Sequence, residues 1–181
     1  VRPHDSFASV GAASSGATPV LPGMDGRRRF MLSASRNEFE TLQLVLSGPT
    51  PAVTGVQFRF GQGLAALRAP VLYRVEYINV TRPTDCYSGG AGLWPEHLIP
   101  DIDTTDGQKR DAFPFAIPSA ELRSVFADIL VPPEQPPGNF SASVDVLGSG
   151  GRVIASENFT IEVFKTTMRS TPTLRTLFGF W

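Results

Sequence analysis

Two histidines, His4 and His97, and a single cysteine, Cys86, are the whole stock of nucleophile and base side chains of those types in this 181-residue chain. A nucleophilic site needs a nucleophile, a base and a group that orients the base, converging from separate parts of a fold. Cys86 and His97 instead share one Pro/Gly/Asp-rich stretch with no orienting partner beside them. The run "DIDTTDGQKRD", Asp101 to Asp111, has the flavour of a calcium loop. Its glycine falls one place late for D-x-D-x-D-G and no Glu closes it, so it reads as a surface turn and no metal is expected. The pairs Gly89-Gly90 and Gly150-Gly151 follow no strand-to-helix pattern, so a phosphate-cradling loop is not indicated. Tyr87 and Trp94 are the candidate carbohydrate contacts, because an aromatic face suits the apolar face of a pyranose. Trp94 is equally suited to capping the end of a core.

The densest group of hydrogen-bonding side chains is Arg36, Asn37, Glu38, Glu40 and Gln43, within "SASRNEFETLQLVLSG". Leu42, Leu44 and Leu46 alternate with Thr41, Gln43 and Val45, the pattern of a half-buried strand. Counting back along one continuous strand puts Arg36, Glu38 and Glu40 at the end of the Leu42 row and Asn37 with Phe39. A compensated Arg-carboxylate cluster sealing the end of a core, or docking it to a neighbour, needs no substrate. These five residues are therefore expected to be structural or interdomain, and no catalytic residue is assigned.

The elements that must position them are strands. Phe30, Leu32 and Ala34 alternate with polar residues, and Val56, Phe58 and Phe60 do the same. Val71, Tyr73, Val75 and Tyr77 form a further row, with Arg74 and Glu76 opposite. Three later rows are Val125 to Val131, Phe140 to Val146 and Phe159 to Val163, separated by "PPEQPPGN" and "GSGGR". Thr81 to Ser119 shows no alternation and reads as one long irregular loop, which in a compact domain is functional or packed against something else. Only "PSAELRSVF" has the makings of a helical turn. The expectation is an all-β chain, an antiparallel β-sandwich of about seven or eight strands. Residues 1–23 read as an extended leader, 24–176 as the sandwich, and 177–181 as the start of a linker or next domain.

With 16 basic and 17 acidic residues the chain has no electrostatic footprint for nucleic acid or an anionic membrane. No apolar run approaches the roughly 18 residues needed to cross a bilayer, so a soluble chain is expected. It begins at Val1 without Met, which fits a mature or excised segment. Three of the four asparagines, Asn79, Asn139 and Asn158, sit in N-x-S/T sequons, which points to an extracellular or secreted glycoprotein. Cys86 has no partner for an internal disulfide within these residues and leaves a free thiol, or a bond to another chain or to a further part of this polypeptide.

In order, "SASRNEFETLQLVLSG", "VLYRVEYINVTRPTD", "WPEHLIPDI", "FADILVPPEQPPGNFSASVDV" and "FTIEVFKTTMRSTPTLRTLFGF" resemble the N-terminal β-sandwich domain of family-123 glycoside hydrolase-like proteins. The resemblance spans about residues 30 to 180 and rests on the order and spacing of the segments. One departure is Glu96, where the loop usually carries Asp. In that family the sandwich precedes a (β/α)8 barrel, and members resembling β-N-acetylgalactosaminidases keep their acid pair in the barrel. The resemblance therefore implies no catalytic carboxylate and no cofactor here, and a C-terminal barrel of the same polypeptide as partner. "TLFGFW" falls where the first barrel strand would be due, so the natural polypeptide is expected to continue. The expected role is a non-catalytic module supporting or orienting such a barrel. Two alternatives stand beside it: a carbohydrate-binding module using Tyr87 to His97, and a structural domain of an extracellular assembly that self-associates, with Cys86 as the candidate link.

Overall fold

A computed structural model describes residues 7–11, 30–47, 52–61, 67, 69–82, 90–171 and 173. Among these residues ten strands are formed: β1 (Phe7–Gly11), β2 (Phe30–Arg36), β3 (Glu38–Ser47), β4 (Val53–Phe60), β5 (Val71–Val80), β6 (Gly92–Pro100), β7 (Phe115–Ile117), β8 (Leu122–Val131), β9 (Gly138–Leu147) and β10 (Val153–Thr167). They make two five-stranded sheets, with orders β1-β3-β8-β5-β6 and β2-β10-β9-β4-β7. Pairing is antiparallel except for β1 with β3 and β2 with β10.

The architecture is the expected all-β sandwich, and period two explains most of it. Leu42, Leu44 and Leu46 of β3 are buried, as are Val125, Ala127, Ile129 and Val131 of β8. Register sets Leu42 beside Ala127 and Leu44 beside Val125, so the two rows form one apolar surface. Facing it, Leu32 and Ala34 of β2, Phe159, Ile161 and Val163 of β10, and Ala142, Val144 and Val146 of β9 complete a single core. Phe58, Phe113 and Phe115 close one side through edge and stacked ring contacts.

Ten strands replace seven or eight because three carry no readable alternation. β1 lies inside the stretch read as leader, while β6 and β7 lie inside the stretch read as irregular loop. β6 is an edge strand whose residues from Leu93 to Leu98 are exposed on both faces, and Pro95 and Pro100 interrupt its donors. Its order comes from backbone pairing with β5, which leaves no hydrophobic period to detect. "PSAELRSVF" is not helical. Glu121 N donates to Pro118 O at 3.2 Å in a reverse turn, Ala120 has φ 61°, and β8 starts at Leu122.

The face of β5 is also inverted relative to the sequence reading. Register places Leu72 beside Ala127 and Arg74 beside Val125, so that row faces the core. Arg74 tolerates this because its aliphatic stem covers apolar surface while Nη2 reaches Glu76 Oε2 at 2.8 Å. Tyr73, Val75 and Tyr77 consequently stand on the outer side of the sheet. Cys86, Phe30's side chain, the leader other than β1, and residues 177–181 lie outside what is described.

Candidate functional site at the Arg36–Glu38 corner

"SRNE" is not the start of one strand but the point where the chain crosses between sheets. β2 ends at Arg36 in one sheet and β3 begins at Glu38 in the other. Asn37 makes the corner with φ 59°, a left-handed conformation that Asn adopts more readily than most residues. Parity counted through Arg36 therefore fails, although Glu38 and Glu40 do share the row of Leu42 on β3.

The hydrogen bonds of Arg36, Asn37 and Glu38 go to main chain or to a neighbouring hydroxyl. Asn37 N donates to Val131 O at 2.8 Å, tying the corner to the end of β8. Asn37 Nδ2 donates to Met168 O at 2.9 Å and to Ser170 Oγ at 3.0 Å. Met168 N donates to Arg36 O at 2.7 Å, and Arg36 Nη2 donates to Lys165 O at 2.7 Å. Glu38 Oε2 accepts from Ser35 N at 2.6 Å and closes the turn. The corner thus holds the segment through which the chain leaves β10, from Lys165 to Ser170. Replacing Glu38 by Ala leaves the Ser35 N–H without its acceptor, so Glu38→Ala is expected to lower stability by about 1 kcal/mol. Glu38→Gln, which keeps an acceptor oxygen, is expected to lose less, as urea unfolding will measure.

Gln43 does not belong to this corner. It sits mid-strand on the outer face opposite Phe126, where Nε2 donates to Ser124 Oγ at 2.8 Å. Glu40, half-buried, pairs across to Ile129. Trp94 is on β6, its indole N–H donating to Gly90 O at 3.0 Å, and Tyr87 lies outside the described residues. Glu96 is the extra residue of a bulge, because Tyr77 pairs with Pro95 and Glu76 with His97. Asn79, Asn139 and Asn158 are all exposed, on β5, β9 and β10. Among the described residues no group of three or more His, Cys, Asp or Glu is placed to hold a metal ion.

The calcium-like run is a closed turn built around an arginine. Arg110 Nη2 contacts Asp103 Oδ2 at 2.6 Å and Asp106 Oδ2 at 2.8 Å. Asp103 Oδ1 and Asp106 Oδ1 accept from the backbone N–H groups of Thr105 and Gln108. The Arg110 hydrogen bond foremost, then the Thr105 N–H, holds the Asp103 carboxyl below the usual carboxylate range. Asp145 is lowered too, first by Ser156 Oγ at 2.6 Å and then by Arg59. A carboxyl lowered in the folded state stabilises it above the unfolded pKa, about 3.9 for Asp, and that contribution is lost as pH falls through the folded value. Melting temperature is therefore expected to hold from neutral pH to about 5 and to fall below about 4. An Asp103→Asn, Asp145→Asn double variant should show a shallower acid limb in thermal melts.

Sequence reasoning missed the residues on the outer face of the β3-β8-β5 sheet. Thr41 Oγ1 donates to Asp128 Oδ1 at 2.6 Å, and Phe126 stands beside Tyr73. Burial foremost, with the Asp128 charge, raises the Tyr73 pKa. The available signal was that "VLYRVEYINV" and "LRSVFADILV" carry large apolar residues on both rows, a tendency of strands covered on both faces.

Two sheets packed face to face and joined at a stapled corner define the chain as a β-sandwich domain. No protein-family model matches the chain. No curated protein matches it either. Among solved structures it is similar to a family 123 glycoside hydrolase from Clostridium perfringens, studied for its hydrolysis of glycolipid glycans, with TM-score 0.54 and 10% sequence identity. The likeness covers 76% of this chain and 23% of that one, so the two share a fold and the chain spans less than a quarter of the hydrolase's length.

Proposed function

We propose that this chain is a non-catalytic β-sandwich module of a secreted glycoside hydrolase-like glycoprotein, supporting or orienting a catalytic-type barrel in the same polypeptide. The observation that carries the reading is the unequal coverage of the structural likeness: most of this chain, but 23% of the hydrolase. The corner supports it, since Arg36 and Asn37 direct their hydrogen bonds to fixing where the chain leaves β10, and Glu38 closes the turn that holds them. The exposure of Asn79, Asn139 and Asn158 leaves each sequon accessible to a glycan.

The test is the intact mass of the native protein before and after N-glycosidase, with its terminal peptides sequenced. A product extending past Trp181 into a barrel with an acid pair, and losing mass on deglycosylation, is expected. Replacing each sequon asparagine by Gln should remove one enzyme-sensitive increment. An unglycosylated product ending at Trp181 would overturn the reading.

A second reading, carbohydrate binding, is favoured by Trp94, which is 38% exposed and held in orientation by its bond to Gly90 O. It requires glycan binding that Trp94→Ala abolishes while the melting temperature is unchanged. Absence of binding across an array of neutral oligosaccharides removes it.

A further inference from the structure

The two outer faces of the sandwich differ in character. On the β2-β10-β9-β4 sheet the outward row is mainly polar: Ser33 donates to Glu162, Arg59 pairs with Asp145, and Asn139 and Asn158 are both exposed there, with Met31 and Phe164 as its exposed apolar residues. Bulky glycans on those two asparagines would lie over this face. On the β3-β8-β5-β6 sheet the outward row is apolar, with Phe39 60%, Leu122 56% and Leu98 51% exposed around half-buried Tyr73, Phe126 and Leu130. Val75, on that row beside Leu98, is buried without belonging to the core. The polar groups among them are turned toward each other, Thr41 to Asp128 and Gln43 to Ser124, which lowers the cost of removing them from water.

We infer that the outer face of the β3-β8-β5-β6 sheet is a docking surface, and that its occupant is the folded domain following β10 in the same polypeptide. This rests on the accessory-module reading above and names the surface through which the module would act. The occupant follows from the exit path. Asn37 and Arg36 hold Lys165 to Ser170 against the corner that opens directly into Glu38 and Phe39, so chain leaving the clamp emerges at the border of the apolar face. A domain tethered there meets that face at the high effective concentration of a short linker. Asn79 also belongs to the outward row, at the end of β5 far from the corner, so a glycan there would lie at the distal edge of this face and leave its corner end open.

Hydroxyl-radical footprinting of the native polypeptide, compared residue by residue with the 181-residue chain, tests this. Phe39, Leu98 and Leu122 are expected to react severalfold more slowly in the longer protein, with Met31 and Phe164 unchanged. Phe39→Asp in the longer protein should restore reactivity at Leu98, while Phe164→Asp should not; Phe39 is exposed enough that the sandwich itself should fold in both cases. A longer product whose apolar face reacts as fast as in the isolated chain overturns the inference and leaves the accessory reading standing. A native product no longer than this chain overturns both. Protection that appears in the isolated chain and rises with its concentration assigns the face to a second copy and also overturns the inference.

Discussion

Leu44→Ala is expected to lower the stability of the sandwich by about 3 kcal/mol, in the range measured for buried Leu truncations. Leu44 is fully buried, paired to Val125 on β8 and facing the core rows of the opposite sheet. Removing three carbons there forfeits their transfer free energy and leaves a cavity walled by strands that hydrogen bonds prevent from collapsing. For a chain of this size the loss corresponds to a drop in melting temperature of roughly 6–12 °C. Leu98→Ala, on the exposed outer row of β6, should cost about 0.5 kcal/mol or less in the isolated chain. A comparable loss at both positions in urea unfolding would mean that the face assigned as outer is packed even without a partner.

Asn37→Ala is the second large effect, expected at about 2 to 3 kcal/mol, from two lost hydrogen bonds and a left-handed conformation that Ala tolerates poorly. Asn37 combines φ 59° with two side-chain bonds to Met168 and Ser170. Gly relieves the backbone term and not the bonds, so Asn37→Gly separates them. Its stability should fall by about 1 kcal/mol, with faster amide exchange confined to residues 165–170. If Asn37→Gly leaves exchange there unchanged, the clamp does not hold the exit of β10.

The rows Leu42 to Leu46, Val125 to Val131, Phe140 to Val146 and Phe159 to Val163 were legible because each strand buries one face, and burial imposes a period of two on residue type. The turns between them were legible for the same local reason, since Gly and Pro report backbone geometry directly. Candidate glycosylation was legible as a motif, and the exposure of its three asparagines is a separate fact supplied by the fold.

What remained hidden depends on pairing between distant segments. β6 is ordered by its ladder to β5, and exposed edge strands need no apolar alternation. β1 likewise owes its place to β3. The orientation of β5 was ambiguous because both of its rows carry apolar residues, and only register against Ala127 and Val125 turns Leu72 and Arg74 inward. Arg36, Asn37 and Glu38 were recognisable as a polar group at the end of a core. That Asn37 is a corner between two sheets, gripping residues more than a hundred positions later, follows from long-range hydrogen bonds with Met168 and Ser170 that no local pattern encodes.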